Sequence, residues 1–196
     1  MKRIKTLLCV MLAVLLSLSS TAFAYAETSK TDEFEYLKKA ILKIDSISDS
    51  EIEQFVHENR EWIDEVGMRL EAYLNSVPVN DQRQTLTYIM GGTPSPRGNN
   101  LSDYFKSTRY HYRGGYWTYS VNPKWSVRLY RPTMEAAWSA LGNAYYGIRN
   151  DNGSLWNQYL CHWDYDAFGI VAGEWDLEVG RPVIPYSQMF AALCNP

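Results

Sequence analysis

The residues of this chain best suited to chemistry crowd its C-terminal stretch, CHWDYDAFGIVAGEWDLEVGRPVIPYSQMFAALCNP, from Cys161 to Pro196. His162, Asp176 and Glu178 form the candidate catalytic group, in which an imidazole and two carboxyls could share acid and base roles. Two carboxyl groups flanking a glycosidic bond could hydrolyse it, one as proton donor and the other as base or nucleophile. The wider acidic set, Asp164, Asp166, Glu174, Asp176 and Glu178, could instead present several oxygens to a hard cation, although no EF-hand spacing is present. No Ser or Cys nucleophile stands in a recognisable context, so the motifs name no reaction. The simplest expectation for these acids is structural, as partners of Arg109, Arg113, Arg128 and Arg181 across a sheet.

Cys161 and Cys194 are the two cysteines expected in the exported product, and two thiols outside the cell most simply form a disulfide. Closing a loop of about 34 residues stabilises the folded chain by roughly 3–4 kcal/mol in the chain-entropy model. A zinc site of Cys161, His162 and Cys194 is the alternative, but it uses two adjacent residues and supplies only three ligands. No metal and no cofactor is implied.

A second kind of candidate is a binding surface. Six of the seven tryptophans and eleven of the fifteen tyrosines follow residue 100, which places an aromatic domain there. The segment STRYHYRGGYWTYSVNPKWSVRLYRP reads as three short strands separated by Gly114-Gly115 and Asn122-Pro123. Alternation places Trp117, Tyr119 and Val121 on one face, joined by Trp125, Val127 and Leu129 from the third strand as the core side. Arg109, His111 and Arg113 then share the opposite face, with Arg128 also outward. Guanidinium groups beside Trp and Tyr rings could hold a carboxylate, a phosphate or a sugar acid. The candidate binding residues are therefore Arg109, His111, Arg113, Trp117, Arg128, Trp163, Trp175 and Arg181, although the same Arg-His-Arg row could equally be the wet side of a half-buried sheet.

These groups need elements to position them. TMEAAWSALGNAYYGI suits a helix packed on the sheet, and SLWNQYLCHWDYD is helix or strand, its periodicity not deciding. GEWDLEVGRP alternates as a strand, with Trp175, Leu177 and Val179 on one face and Glu174, Asp176 and Glu178 on the other. Upstream, residues 27–90 read as an acidic helical region. One helix carries Phe34, Leu37, Ile41 and Ile44, and a longer one runs from a Ser48–Glu51 capping box to Pro78, with Gly67 its weak point. A shorter helix spans Asp81 to Met90. GGTPSPRGNN, residues 91–100, reads as a linker, leaving 101–196 as an aromatic β-rich, disulfide-closed domain. The fold class is α+β: amphipathic helices, then an antiparallel sheet with one or two helices.

Residues 1–26 carry Lys2, Arg3 and Lys5, an apolar run and a small-residue ending, the pattern of a secretory signal peptide cleaved after Ala26 or Ala24. The run is too short to span a bilayer of ~30 Å, so a secreted protein without a transmembrane segment is expected. Residues 27–99 hold 8 Lys/Arg and 14 Asp/Glu, whereas 100–196 hold 8 of each. A net-acidic exported chain excludes general nucleic-acid binding, which depends on neutralising phosphates.

The marks Gln158-Tyr159-Leu160-Cys161-His162-Trp163, Trp175-Asp176-Leu177-Glu178 with Arg181-Pro182, and Cys194-Asn195-Pro196 resemble those of a secreted bacterial domain of unknown function, number 2599. The resemblance covers the chain from about Trp117 to its end, and Asp176 stands where that family usually has Asn. It implies export and no established activity. The organisation, an acidic helical part joined to a compact disulfide-closed part, is also similar to that of large heat-labile secreted bacteriocins of Gram-positive bacteria. The function expected is a non-enzymatic exported antagonist recognising an envelope receptor or glycan, with an envelope hydrolase acting on peptidoglycan or polysaccharide as the alternative. The three marks are expected to meet in one place, clasped by the disulfide, with Glu178, Arg181 and His162 beside it.

Overall fold

The computed structural model describes residues 29–92, 100–168 and 173–196; the signal peptide expected at residues 1–26 and most of the 91–100 segment lie outside them. Two compact units divide the chain, Met1–Tyr36 and Leu37–Pro196. Residues 29–36 of the first are helical. The second unit opens with α1, helical at residues 37–45. It continues through α2 (Ile52–Glu58), α3 (Arg60–Asn75), α4 (Val79–Ile89) and the single turn α5 (Leu101–Tyr104) into strands β1 (Phe105–Arg113) and β2 (Tyr116–Pro123). Helices α6 (Trp125–Leu129), α7 (Arg131–Ala144), α8 (Tyr146–Arg149) and α9 (Ser154–Phe168) follow, then β3 (Trp175–Glu178) and the short α10 (Tyr186–Met189). The sheet is antiparallel in the order β1-β2-β3, so the α+β class expected from the patterns is what the chain adopts.

The N-terminal helices bury the apolar stripe that the spacing predicts: Leu37, Ile41, Ile44, Ile52, Ile63, Val66 and Leu70 are all in the core. The single long helix expected from Ser48 to Pro78 is divided in two at Asn59. The Asn59 side chain and backbone N–H both donate to the Phe55 carbonyl, at 2.9 and 3.0 Å, and its backbone leaves the helical region (φ −118°, ψ 22°). An Asn that competes for a helix carbonyl ends the helix there. Gly67, the expected weak point, stays helical inside α3 and lies against Tyr130, where an added Cβ would come within 3.2 Å of the ring. The Ser48 hydroxyl bonds the Glu51 carboxylate directly, so the reciprocal backbone bonds of a capping box are not made.

These helices dock on the aromatic part of the chain. Asp45, beyond the last apolar turn of α1, accepts from the Ser126 backbone N–H (2.8 Å) and hydroxyl (2.9 Å), and Trp125 Nε1 donates to the Ile47 carbonyl at 3.0 Å. Burial pushes the Asp45 carboxyl above its ordinary value, and the two Ser126 bonds oppose that. Lys106 pairs with Asp49 and covers the Trp125 ring at 4.4 Å.

The expected third strand of the aromatic segment is not a strand. Residues Trp125–Leu129 form α6, whose first-turn amide at Ser126 is capped by Asp45. The two-residue alternation of Trp125, Val127 and Leu129 is incidental, because Ser126 and Arg128 between them are buried too. Arg128, expected outward, is 2% exposed. Its Nη1 bonds Asp166, Nε donates to the Pro123 carbonyl at 3.2 Å, and Nη2 reaches Asn122 Oδ1 (3.3 Å) and the Gly173 carbonyl. The guanidinium carbon lies 5.2 Å from the ring centres of both Trp125 and Trp175, and Trp175 Nε1 also donates to Asp166 at 2.9 Å. Desolvation pulls the Arg128 guanidinium below its ordinary value, opposed first by the charge of Asp166.

The segment whose periodicity does not decide is helix α9. Its first amides, at Leu155 and Trp156, are taken by the two Asp151 carboxylate oxygens at 3.0 and 2.9 Å.

Removing one member of a buried ion pair strands the other. Arg128→Met is therefore expected to lower the free energy of unfolding by about 3–5 kcal/mol, and Arg128→Met/Asp166→Leu to recover much of that loss. Urea unfolding followed by tryptophan fluorescence reads both, and equal losses in the single and double variants would show that the charge pair is not what holds this part of the core.

Candidate functional site

The β1–β2 hairpin turns through Gly114 and Gly115, with φ of +59° and +92° and open space around both. Those angles suit a type I′ turn, which glycine enters without a Cβ penalty and which matches the strand twist. The register pairs Arg113 with Tyr116, Tyr112 with Trp117, His111 with Thr118, Tyr110 with Tyr119 and Arg109 with Ser120. β3 pairs only with Thr118–Val121 of β2, and the Val179 N–H donates to the Trp117 carbonyl just beyond it at 2.7 Å. The tip of the hairpin therefore reaches past the third strand. Side chains alternate between two faces of different chemistry.

One face is a ladder of rings. Tyr119 stacks on Tyr110 (centres 4.4 Å apart, planes at 25°), Tyr110 on Trp117 (5.0 Å, 23°), and Tyr112 meets Trp117 edge-on at 5.7 Å. The ladder starts in the core, where Tyr119 is 5% exposed against Tyr145, and ends in water at Trp117 (50%) and Tyr112 (63%). Gly147 makes room for its inner end: a Cβ there would lie 2.4 Å from the Tyr119 hydroxyl oxygen. Trp117 thus shares a face with Tyr119 and Val121 as the alternation predicts, yet stands outside the core.

The other face is a lattice of ion pairs. Arg109 pairs with Glu174, Arg113 with Asp176 at 2.8 Å and Arg181 with Glu178 at 2.5 Å, while the Arg181 guanidinium covers Tyr116 at 3.9 Å. His111 Nε2 bonds the Ser120 hydroxyl at 2.8 Å, and that hydroxyl donates to Asp176. The His-Ser-Asp order invites a nucleophilic reading, but the bonds run the wrong way for one. Because Ser120 gives its proton to Asp176, it can only accept from His111 Nε2–H, so the imidazole is not its base; Ser120 is also fully buried.

At the outer edge of β3 the three C-terminal marks meet. Gln158 Oε1 accepts from the Glu178 N–H (2.7 Å) and Gln158 Nε2 donates to the Glu178 carbonyl (3.0 Å). His162 Nε2 lies 3.2 Å from the Asp176 carbonyl, which only accepts, so this nitrogen carries the proton. With its amide turned to suit its neighbours, Asn195 donates to Gln158 Oε1 and to the Asp176 carbonyl, both at 2.9 Å. The Cys161–Cys194 disulfide anchors Asn195 to α9. Side chains close the sheet edge that a further strand would otherwise occupy.

The predicted site residues accordingly separate. Asp176 joins Arg113, Ser120 and His111; Glu178 joins Arg181; among the described residues, no hydrogen bond links His162 to either carboxylate. A cleft of about 270 Å³ opens beside His162 and Trp175, and its two carboxylates, Asp166 and Glu174, are held by Arg128 and Arg109. Of the binding candidates, Arg128 and Trp175 are in the core, and half-buried Trp163 donates its indole N–H to the Val127 carbonyl at 3.0 Å. Arg109, His111, Arg113, Arg181 and Trp117 stay on the hairpin and beside it. The zinc alternative fails because both its sulfurs are in the disulfide, and no group of His, Cys, Asp or Glu among the described residues is arranged to hold a metal ion. Tyr110, Tyr112, Gln158 and Asn195 are absent from the sequence-based candidates. The first two could be found by counting register back from the Gly114-Gly115 turn, whereas Gln158 and Asn195 stand out only as members of the C-terminal marks, with no role of their own.

The family model described as a protein of unknown function, DUF2599, matches residues 106–196, which takes in all of the hairpin but Phe105 as well as the three C-terminal marks. No curated protein and no solved structure matches the chain. Among the described residues, no helix is long and apolar enough to cross a membrane.

His162 gives this region a pH dependence. Its ring lies parallel to Trp175 (6.1 Å, 6°), and desolvation lowers its pKa from the ordinary 6.5, with the bond to the Asp176 carbonyl opposing. The unfolded chain therefore binds a proton before the folded one does, so stability falls as pH drops below about 6.5 and levels off beneath the folded pKa. In urea unfolding across that range, the stability advantage of the unaltered protein over His162→Gln should shrink as pH falls; a pH-independent difference would overturn this account.

Proposed function

We propose that this is an exported, non-enzymatic protein of the cell envelope or extracellular space, a bacteriocin-like antagonist that recognises an envelope receptor or glycan through the tip of its β1–β2 hairpin. The observation that carries the reading is the ring ladder, which leaves the core at Tyr119 and ends at Trp117 and Tyr112 in water. Large rings exposed side by side cost solvation unless a partner covers them, and Tyr and Trp lose little side-chain entropy on contact. Tyr112, edge-on to Trp117, offers a face on which the C–H groups of a sugar ring can lie, while hydroxyl and indole N–H groups at the ring edges supply hydrogen bonds. The carboxylates favour the same reading by their engagement, since Glu174, Asp176 and Glu178 are each bonded to an arginine.

The test is sedimentation of purified protein with whole cells and isolated cell walls from a panel of related bacteria, alongside growth inhibition. Trp117→Ala/Tyr112→Ala is expected to reduce binding at least tenfold, as loss of aromatic anchors does at other interfaces, with the circular dichroism of the folded protein unchanged. Binding to no member of the panel, or equal binding by the double variant, would sink the proposal.

A further inference from the structure

The two edges of the sheet are treated differently. β3 has its outer Glu178 N–H and carbonyl and its Asp176 carbonyl taken by Gln158, His162 and Asn195. No such closure by the described residues meets the outer edge of β1. In a two-residue hairpin the residues flanking the turn bond each other across the strands and the pattern then alternates, so Arg113, His111 and Arg109 point their peptide groups at β2. Thr108, Tyr110 and Tyr112 point theirs outward. The Trp117 carbonyl agrees with this phase, since it turns away from β1 to accept from Val179. The open edge is thus a run of three outward peptide units on the strand that carries Tyr110 and Tyr112.

We propose that this edge is an interface for a second copy of the chain, in which two β1 strands pair antiparallel about a two-fold axis at Tyr110 and join two sheets into one of six strands. The charges on β1 favour that register over its two neighbours. With Tyr110 opposite its own copy, Thr108 faces Tyr112 and all three outward residues of each strand become hydrogen-bonded. On the opposite face Arg109 meets His111 and Arg113 meets Ser107, so no arginine faces an arginine. Moving the axis by one residue breaks this: centred on Arg109 the arginine faces its own copy, and centred on His111 it faces Arg113. Like charges directly opposite each other are destabilising in a sheet, so both neighbouring registers are disfavoured. An isologous contact of this kind closes on itself as a dimer and consumes the edge on both copies. The inference does not depend on what the rings bind.

Ser107 gives the test, being exposed and opposite Arg113 of the second copy. Ser107→Arg sets two like-charge pairs across the axis and Ser107→Glu two opposite-charge pairs, each altering the dimer dissociation constant by roughly fivefold in opposite directions. Analytical ultracentrifugation of the purified protein across a concentration series should show a monomer–dimer equilibrium, weakened by Ser107→Arg and tightened by Ser107→Glu. A monomer at every concentration would overturn the proposal, as would a dimer that both variants leave unchanged or shift in the same direction.

Discussion

The ion pair between Arg128 and Asp166 is the constraint from which much of this structure follows. A guanidinium and a carboxylate taken wholly out of water are tolerated only when nearly every donor and acceptor is met. Meeting them requires α6 to bring Arg128, the end of β2 to bring the Pro123 carbonyl and Asn122, α9 to bring Asp166, and the chain before β3 to bring the Gly173 carbonyl. Trp175 then lies against the guanidinium with its indole N–H on Asp166, which places β3 beside β2. Trp125 also lies against the guanidinium and passes the arrangement outward, because its own indole N–H is taken by the Ile47 carbonyl. The acidic helices are tied to the aromatic part through that ring, through the Asp45–Ser126 bonds and through the Asp49–Lys106 pair, so the helical and aromatic parts share a core.

Elements whose identity is local were legible in the sequence. The strand at Trp175–Glu178 and the Gly114-Gly115 hairpin follow from alternation and turn chemistry, and the disulfide follows from two thiols in a chain read as exported. What was not legible depended on partners far away in sequence. Trp125–Leu129 alternates like a strand, but Asp45, some eighty positions upstream, caps it as a helix and gives Ser126 a buried place. Arg128 was assigned to the surface because a buried arginine makes sense only beside Asp166, which the local pattern does not reveal. The division at Asn59 is a different kind of miss, a short-range bond from Asn59 to Phe55 that a continuous apolar stripe conceals. The candidate site had the same division: its residues were largely identified, but which of them were partners of one another was decided by register.

That register sorts the sheet into a face that satisfies itself and a face that does not. On the ionic face each arginine has a carboxylate, Ser120 links His111 to Asp176, and Tyr116 lies under Arg181. Exposed pairs of this sort contribute little to stability one by one, but together they cover Thr118 and Ser120 and leave no carboxylate among Glu174, Asp176 and Glu178 without a cation. The ring face has no such internal solution. Tyr119 is fixed by Tyr145 and by the space at Gly147, and the stack grows outward from it until the sheet no longer has a third strand to shelter it. A rigid row of rings anchored at one end in the core loses little freedom when its other end is covered.

The closure of β3 shows how the same chain handles exposed backbone. Gln158 reproduces both halves of a peptide's hydrogen bonding toward Glu178, and Asn195, brought there by the disulfide, adds a donor for the Asp176 carbonyl next to it. Two side-chain amides thereby act as a strand that cannot be extended. At β1 the protection among the described residues is charge, from Lys106, Arg109 and Arg113, each of which also pairs with a carboxylate of its own chain, Asp49, Glu174 or Asp176. Charge on an edge does not prevent pairing as a capped edge does; it selects, admitting a strand only in registers where each guanidinium meets something other than another guanidinium. The clasp at Cys161–Cys194 and the hairpin are therefore parts of one design, in which one edge of a three-stranded sheet is shut and the other is left selective.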